Sequence, residues 1–176
     1  MIWRLAHKAD SIGRVLADGH YSRRKVGSPQ FMPPGETLVL VAHDGSAVFG
    51  WWRPHPASGI RSMNGLDGWT CSIFRYIRGD KRMVASTLIL EAESILVATK
   101  GQCGPSGLLT YVWDAKVRSA NPGYCFKRAG WSTHPTKPRS ADRKKTLLWK
   151  AWECAGRIEG SVRGVDTRQD LAISAG

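Results

Sequence analysis

Apolar and polar positions divide the chain into short blocks. Residues 2–6 are a brief apolar run that reads as an edge strand. In residues 8–16, Ile12, Val15 and Leu16 stand at helical spacing, with Asp10 or Ser11 as cap and Gly19 as stop. Residues 20–35 are a loop rich in Arg, Pro, Gly and Ser. Residues 37–42 are β-rich, Asp44-Gly45 is a two-residue hairpin signal, and residues 47–52 return from it. A Gly- and Pro-containing loop spans 53–68, and residues 69–77 alternate as a strand. The clearest helical pattern is 84–98, where Leu88, Ala92, Ile95 and Leu96 share a face. After a breaker cluster at 101–107, residues 108–113 read as a buried strand. Asn121-Pro122-Gly123-Tyr124 opens a short segment that stops at Gly130-Trp131. Residues 146–152 are a late strand with Lys150 between bulky apolar neighbours.

The order β-α-β-β-β-α-β-α-β, with room for one more strand, predicts an α/β (α+β) fold. Three strands joined by turns and then a crossover helix make a mixed β-sheet flanked by helices on both faces. Residues 1–160 are expected to form a single domain. The small, polar stretch 161–176 is expected to be a C-terminal tail, loosely held or touching a partner.

Charge changes the picture most. Against 26 Lys and Arg stand 14 Asp and Glu, a net charge of +12 with a pI near 10.0. Such a surface attracts polyanions, DNA or RNA ahead of a membrane, since no amphipathic membrane-surface helix is evident. Four cysteines, at 71, 103, 125 and 154, form no C-x-x-C pair, and no His cluster has zinc spacing. Reduced thiols, no leader-like start and no membrane-length apolar run lead to the expectation of a cytoplasmic protein without membrane contact.

Several residues are candidates for chemistry. His20-Tyr21-Ser22 follows a helix stop and enters a loop, with His20 as a possible base and Tyr21 as a donor or stacking ring. The plainer alternative is a helix C-terminal His beside a solvated loop. Asp114 ends the strand 108–113, as a base or orienter of His20 or Tyr124, or simply as a turn cap. Ser119 lies in the next loop and Tyr124 opens the short helix. Cys125 reads as a small buried residue, since nothing beside it lowers a thiol pKa. Arg75, Arg78, Lys81, Arg82 and Ser86 surround the start of the long helix and suit the phosphates of a donor or a nucleic acid. Ser22, Arg23, Arg24 and Lys25, with Lys137, Arg139, Arg143 and Lys144, suit phosphate contacts to DNA, a solvated loop being the bland alternative. The tryptophans are expected mainly in the core, with two or so free to stack on an extruded base.

The run LTYVWDAKVRSANPGYCFKRAGW (residues 109–131) sets a strand, an acid, a loop, a Tyr-led helix and Gly-Trp in line. With HYSRRKVGSP at residues 20–29, it resembles the Mom-like DNA-modification proteins of bacteriophages across roughly residues 18–135. These are a branch of the GCN5-related N-acyltransferase fold. The resemblance implies that strands 69–77 and 108–113 splay apart and that the gap receives the acyl donor. It implies conversion of adenine N6 in double-stranded DNA to N6-carbamoylmethyladenine, shielding the genome from restriction inside a bacterial host. His20, Tyr21 and Asp114 match the family's motifs, and Tyr124 matches the acid that protonates the leaving group. The usual Gly-rich coenzyme A loop is replaced by Arg78–Ala85, with a single Gly and with Asp80 facing the phosphates. A glycyl donor such as glycyl-tRNA is therefore expected, with acetyl-coenzyme A as alternative. Iron is associated with the family, but His20, Asp114 and His43 are scattered in sequence and no metal ligand set is assigned. The oligomeric state stays open, a homodimer being possible. Two rival readings stand beside this one: an acetyl-coenzyme A N-acetyltransferase of a small amine or protein, and a non-catalytic basic DNA-binding protein.

Overall fold

The structure is a computed structural model that describes residues 1–23, 25–55, 57, 64–77, 84–101, 103–117, 119–136 and 145–155. Its elements are β1 (Trp3–Ala6), α1 (Ser11–Asp18), β2 (Glu36–Ala42), β3 (Ala47–Arg53), β4 (Trp69–Tyr76), α2 (Ala85–Lys100), β5 (Leu108–Trp113), α3 (Tyr124–Arg128), β6 (Ser132–Thr133) and β7 (Lys145–Lys150). They form one seven-stranded mixed sheet in the order β1-β2-β3-β4-β5-β7-β6. Neighbours are antiparallel except β4 and β5. The predicted 161–176 tail lies outside the described residues. Among the described residues no helix is long and apolar enough to cross a membrane.

Strand alternation divides the core between the two faces. Leu38, Leu40, Phe49 and Trp51 pack with Leu88, Ala92 and Leu96 of α2 and Phe126 of α3. Val39, Val41 and Val48 pack on the opposite face with Leu16 and Ala17 of α1. The α1 face differs from the one expected. Ile12 and Val15 are exposed, while Gly13, Leu16 and Ala17 are buried. The reason is closeness: a Cβ on Gly13 would lie 3.0 Å from Phe31 and 3.1 Å from Val41, so the helix docks on its smallest residues. Asp10 caps it, its carboxylate accepting the Gly13 N–H at 2.8 Å.

Helix α2 buries Leu88, Ile89, Ala92, Glu93 and Leu96, close to the predicted face. The indole N–H groups of Trp3 and Trp51 donate to the Leu88 and Ala92 carbonyls, at 3.0 and 3.1 Å. Glu93 is the unexpected member. It accepts from the Trp131 indole at 2.6 Å and from Lys150 at 2.9 Å, and Lys150 also donates to the Ala129 carbonyl at 2.7 Å. Both charged residues are buried, and these bonds join α2, the end of α3 and β7. The late strand ends at Lys150, and Trp152 starts a short 3-10 turn instead of extending it.

Two irregularities of β4 shape the middle of the sheet. First, its register with β3 shifts, so that Gly50 faces Ile73 and Trp51 faces Cys71. Ser72 therefore has no opposite residue, a β-bulge that bends the strand. Second, β4 and β5 pair only through Trp69–Leu108, Thr70–Leu109 and Cys71–Thr110. The Thr110 hydroxyl donates to the Cys71 carbonyl at 3.2 Å at the last paired position. Beyond it the strands run on without pairing to one another.

Candidate functional site

The divergence of β4 and β5 leaves a cleft of about 300 Å³. Cys71, Ser72, Phe74 and Tyr76 form one wall, and Thr110, Tyr111 and Val112 the other. His20, Tyr21 and Ser22 close it from the α1 side, and Gly123, Cys125 and Phe126 from the α3 side. In a chain of net charge +12, the described part of the lining carries no Asp, Glu, Lys or Arg, and Tyr21, Phe74, Tyr76, Tyr111 and Phe126 give it aromatic faces.

His20 is held by its own loop. Its Nδ1 accepts the Ser22 backbone N–H at 3.2 Å and lies 2.7 Å from the Ser22 hydroxyl. An imidazole that accepts at Nδ1 carries its ring proton on Nε2. Burial, helped by the Arg75 guanidinium, pushes the His20 pKa down to about 4. At neutral pH His20 is thus an uncharged N–H donor and a weak base. It is a weaker base than an ordinary imidazole. The rings of His20 and Tyr21 lie 4.2 Å apart, so the first stiffens the second. Burial raises the Tyr21 phenol, opposed by the Trp113 backbone N–H beside its oxygen. Tyr21 therefore reaches from the α1 side to the end of β5 as a neutral phenol.

Burial likewise pushes the Cys71 thiol well up and raises Cys125. Neither is a ready nucleophile, and Cys125 is half-buried, as its small size suggested.

Other expected site residues lie elsewhere. Asp114 orients neither His20 nor Tyr124. Its two oxygens accept the Thr146 N–H and hydroxyl, at 3.2 and 3.1 Å, and fasten the end of β5 to β7. Ser119 closes a local turn with Asn121, away from the cleft lining. Tyr124 is 55% exposed, while its neighbours Gly123 and Cys125 line the cleft. Arg75 donates to the Gly19 carbonyl and steadies the entry to His20 rather than facing the cleft. Ser86 is half-buried in the first turn of α2, where Ala85 is the residue that reaches the lining. Arg23 is turned inward, donating to Asp18 at 2.7 Å and to the Ser28 and Gln30 carbonyls. Ser22 serves His20, and Lys25 is exposed. Arg24, Arg78, Lys81, Arg82, Lys137, Arg139, Arg143 and Lys144 lie outside the described residues.

Sequence reasoning missed Phe74, Tyr76 and Tyr111 as lining residues. For Phe74 and Tyr76 the signal was weak because the bulge at Ser72 changes which side of β4 faces where. No three His, Cys, Asp or Glu side chains gather into a possible metal site among the described residues, so His20, Asp114 and His43 do not form the set that iron would need.

The lining as a whole offers neutral hydrogen-bond donors and aromatic faces. Chemically it suits an uncharged planar ring, with donors placed for an oxygen that gains negative charge. No family model matches this chain, and no curated protein and no solved structure is significantly similar to it.

Proposed function

We propose that this chain is an acyltransferase-type enzyme that modifies the exocyclic amine of adenine in DNA, in the manner of the Mom-like proteins. The observation that carries the reading is the cleft between the diverging ends of β4 and β5, whose described lining is uncharged and includes five Phe and Tyr rings, within a chain of net charge +12. A polyanion is drawn to the surface, while the cleft accepts only the neutral ring. The element order, and a single parallel strand pair that opens, support the GCN5-related N-acyltransferase-like fold expected from the resemblance.

Reaching N6 in a duplex calls for extrusion of the base. N6 then attacks the carbonyl of a glycyl ester, and the leaving alkoxide departs with the proton that N6 gives up. The oxyanion formed on the way is met by the neutral donors His20 Nε2–H and Tyr21 O–H. The product amide carries a free amine, which attacks ring carbon 6. Breakage of the older C6–N6 bond leaves the carbamoylmethyl isomer with no atom gained or lost. Glycyl-tRNA is the donor this scheme favours, and its polyanionic character suits the same surface.

The test is mass spectrometry of nucleosides from plasmid DNA after expression in bacteria. A deoxyadenosine adduct with the mass of an added glycyl residue, absent with Tyr21→Phe and His20→Phe, is the expected result. An adduct formed from purified protein, DNA and acetyl-coenzyme A alone would discard the glycyl donor. Unmodified DNA beside soluble, folded protein would turn the reading toward a small-amine acetyltransferase.

A further inference from the structure

The end of β5 carries a second feature outside the cleft lining. Trp113 is half-buried, and the Lys116 and Lys145 ammonium groups stand 5.4 and 5.9 Å from its ring centre. Lys145 faces Trp113 across the β5–β7 ladder, and Lys116 belongs to the turn that follows β5, so two separate elements bring a cation to one indole. The nearby carboxylate, Asp114, has both oxygens engaged by Thr146. Trp113 directly follows the cleft-lining Val112.

We propose that this rim, Trp113 with Lys116 and Lys145, is a binding surface for an unpaired DNA strand next to the base held in the cleft. The proposal rests on the function proposed above and specifies where the rest of the strand lies. An aromatic face between cations is the chemistry that single-stranded nucleic acid selects: bases stack on the ring and phosphates take the charges. Lys116 is exposed, so its ammonium group is placed to meet a phosphate of a strand stacked on the indole. A duplex keeps its bases stacked inside and offers the rim only phosphates. The surface therefore favours DNA whose strands are already parted, the state that extrusion of an adenine creates.

The experiment is fluorescence anisotropy with a short labelled DNA single strand, its duplex and the equivalent RNA, over a range of salt concentrations. The probes are the full chain and the variants Trp113→Leu, Lys116→Gln with Lys145→Gln, and Lys8→Gln. Lys8 precedes α1 at the end away from His20 and serves as the control for loss of one positive charge, matched to Lys116→Gln alone. Trp113→Leu is expected to weaken single-strand binding by roughly ten-fold or more, and duplex binding much less. The double lysine variant is expected to lower the slope of log affinity against log salt by about 1.4, at about 0.7 for each lost phosphate contact. Equal losses for Lys8→Gln, no loss in folded Trp113→Leu, or a preference for the RNA would overturn the proposal. Lys116→Gln alone, at an exposed position, keeps the test readable if Trp113→Leu does not fold. Binding is read without chemistry. A chain that binds single strands through Trp113 but never alters adenine would therefore discard the transferase and support the surface.

Discussion

The two ends of the β4–β5 pair contrast in every physical respect. At the closed end the strands are hydrogen-bonded and the backbones nearly touch. The Trp69 N–H donates to the Gly107 carbonyl at 3.0 Å, and a Cβ on Gly68 would lie 2.3 Å from that same oxygen. Beside them Lys150, paired across the ladder with Leu108, reaches the buried Glu93. Charges there are buried with several bonds each and have little freedom to do anything else. At the open end, past Thr110, the described polar side chains that line the cleft are neutral: His20, Tyr21, Ser72 and Tyr111. The same strands thus supply a clamp and a receptacle. A cleft can persist between two parallel strands because the other end, with its saturated bonds, holds them at a fixed distance.

The contrast is broken most severely at the clamp. Lys150→Ala leaves the Glu93 carboxylate buried without its cation, and a loss of about 3–5 kcal/mol in unfolding free energy is expected by chemical denaturation. A loss under about 1 kcal/mol would mean that the pair does not hold the closed end. Gly107→Ala comes next. Gly107 has φ +63°, and its added Cβ would lie 2.4 Å from the Lys150 carbonyl. The left-handed backbone alone costs about 1–3 kcal/mol for a non-glycine residue, and the crowding adds to it. A melting temperature equal to that of the parent chain would refute this.

Smaller changes sharpen the open end. Thr110→Val removes the last link between the strands and is expected to cost about 1 kcal/mol. It should also speed labelling of Cys71 by a thiol reagent, because the cleft then opens further toward the clamp. Unchanged labelling would show that the bulge, and not this hydroxyl, sets where the strands part. The mildest test uses pH. His20 is held at about 4, below the ordinary 6.5, so the unfolded chain binds more protons between those values. Stability is then lost as pH falls from 6.5 toward 4 and is flat above 6.5. The depressed Asp10 and Asp18 act in the same direction, but only below about 3.8. Replacing His20 by Phe should flatten the slope between 4 and 6.5. A slope that survives the substitution would place its origin elsewhere.

Much of the fold was legible because it depends on local pattern. Asp44-Gly45 marks the β2–β3 turn, and the face Leu88, Ala92, Leu96 marks α2. His20-Tyr21-Ser22 stood out as three polar residues after a helix stop, and they do line the cleft. Asp114 stood out equally and turned out to clamp β5 to β7, because a strand-end acid looks the same whichever neighbour it finds. Tyr124 was read from its place at the start of a helix, but sequence position does not say which way a side chain on a five-residue helix points.

What the sequence by itself determined is the order of elements, the strongly basic surface and the loop that carries the histidine. These rest on periodicity, turn chemistry and composition, all of them sums over neighbouring residues. Tertiary structure alone decided three further things: that β4 bulges at Ser72 and leaves β5 after three pairs, that Glu93 and Lys150 find each other 57 residues apart, and that burial and Arg75 push the His20 pKa down. Each depends on contacts between distant segments or on burial, and neither distance nor dielectric environment is written in local pattern.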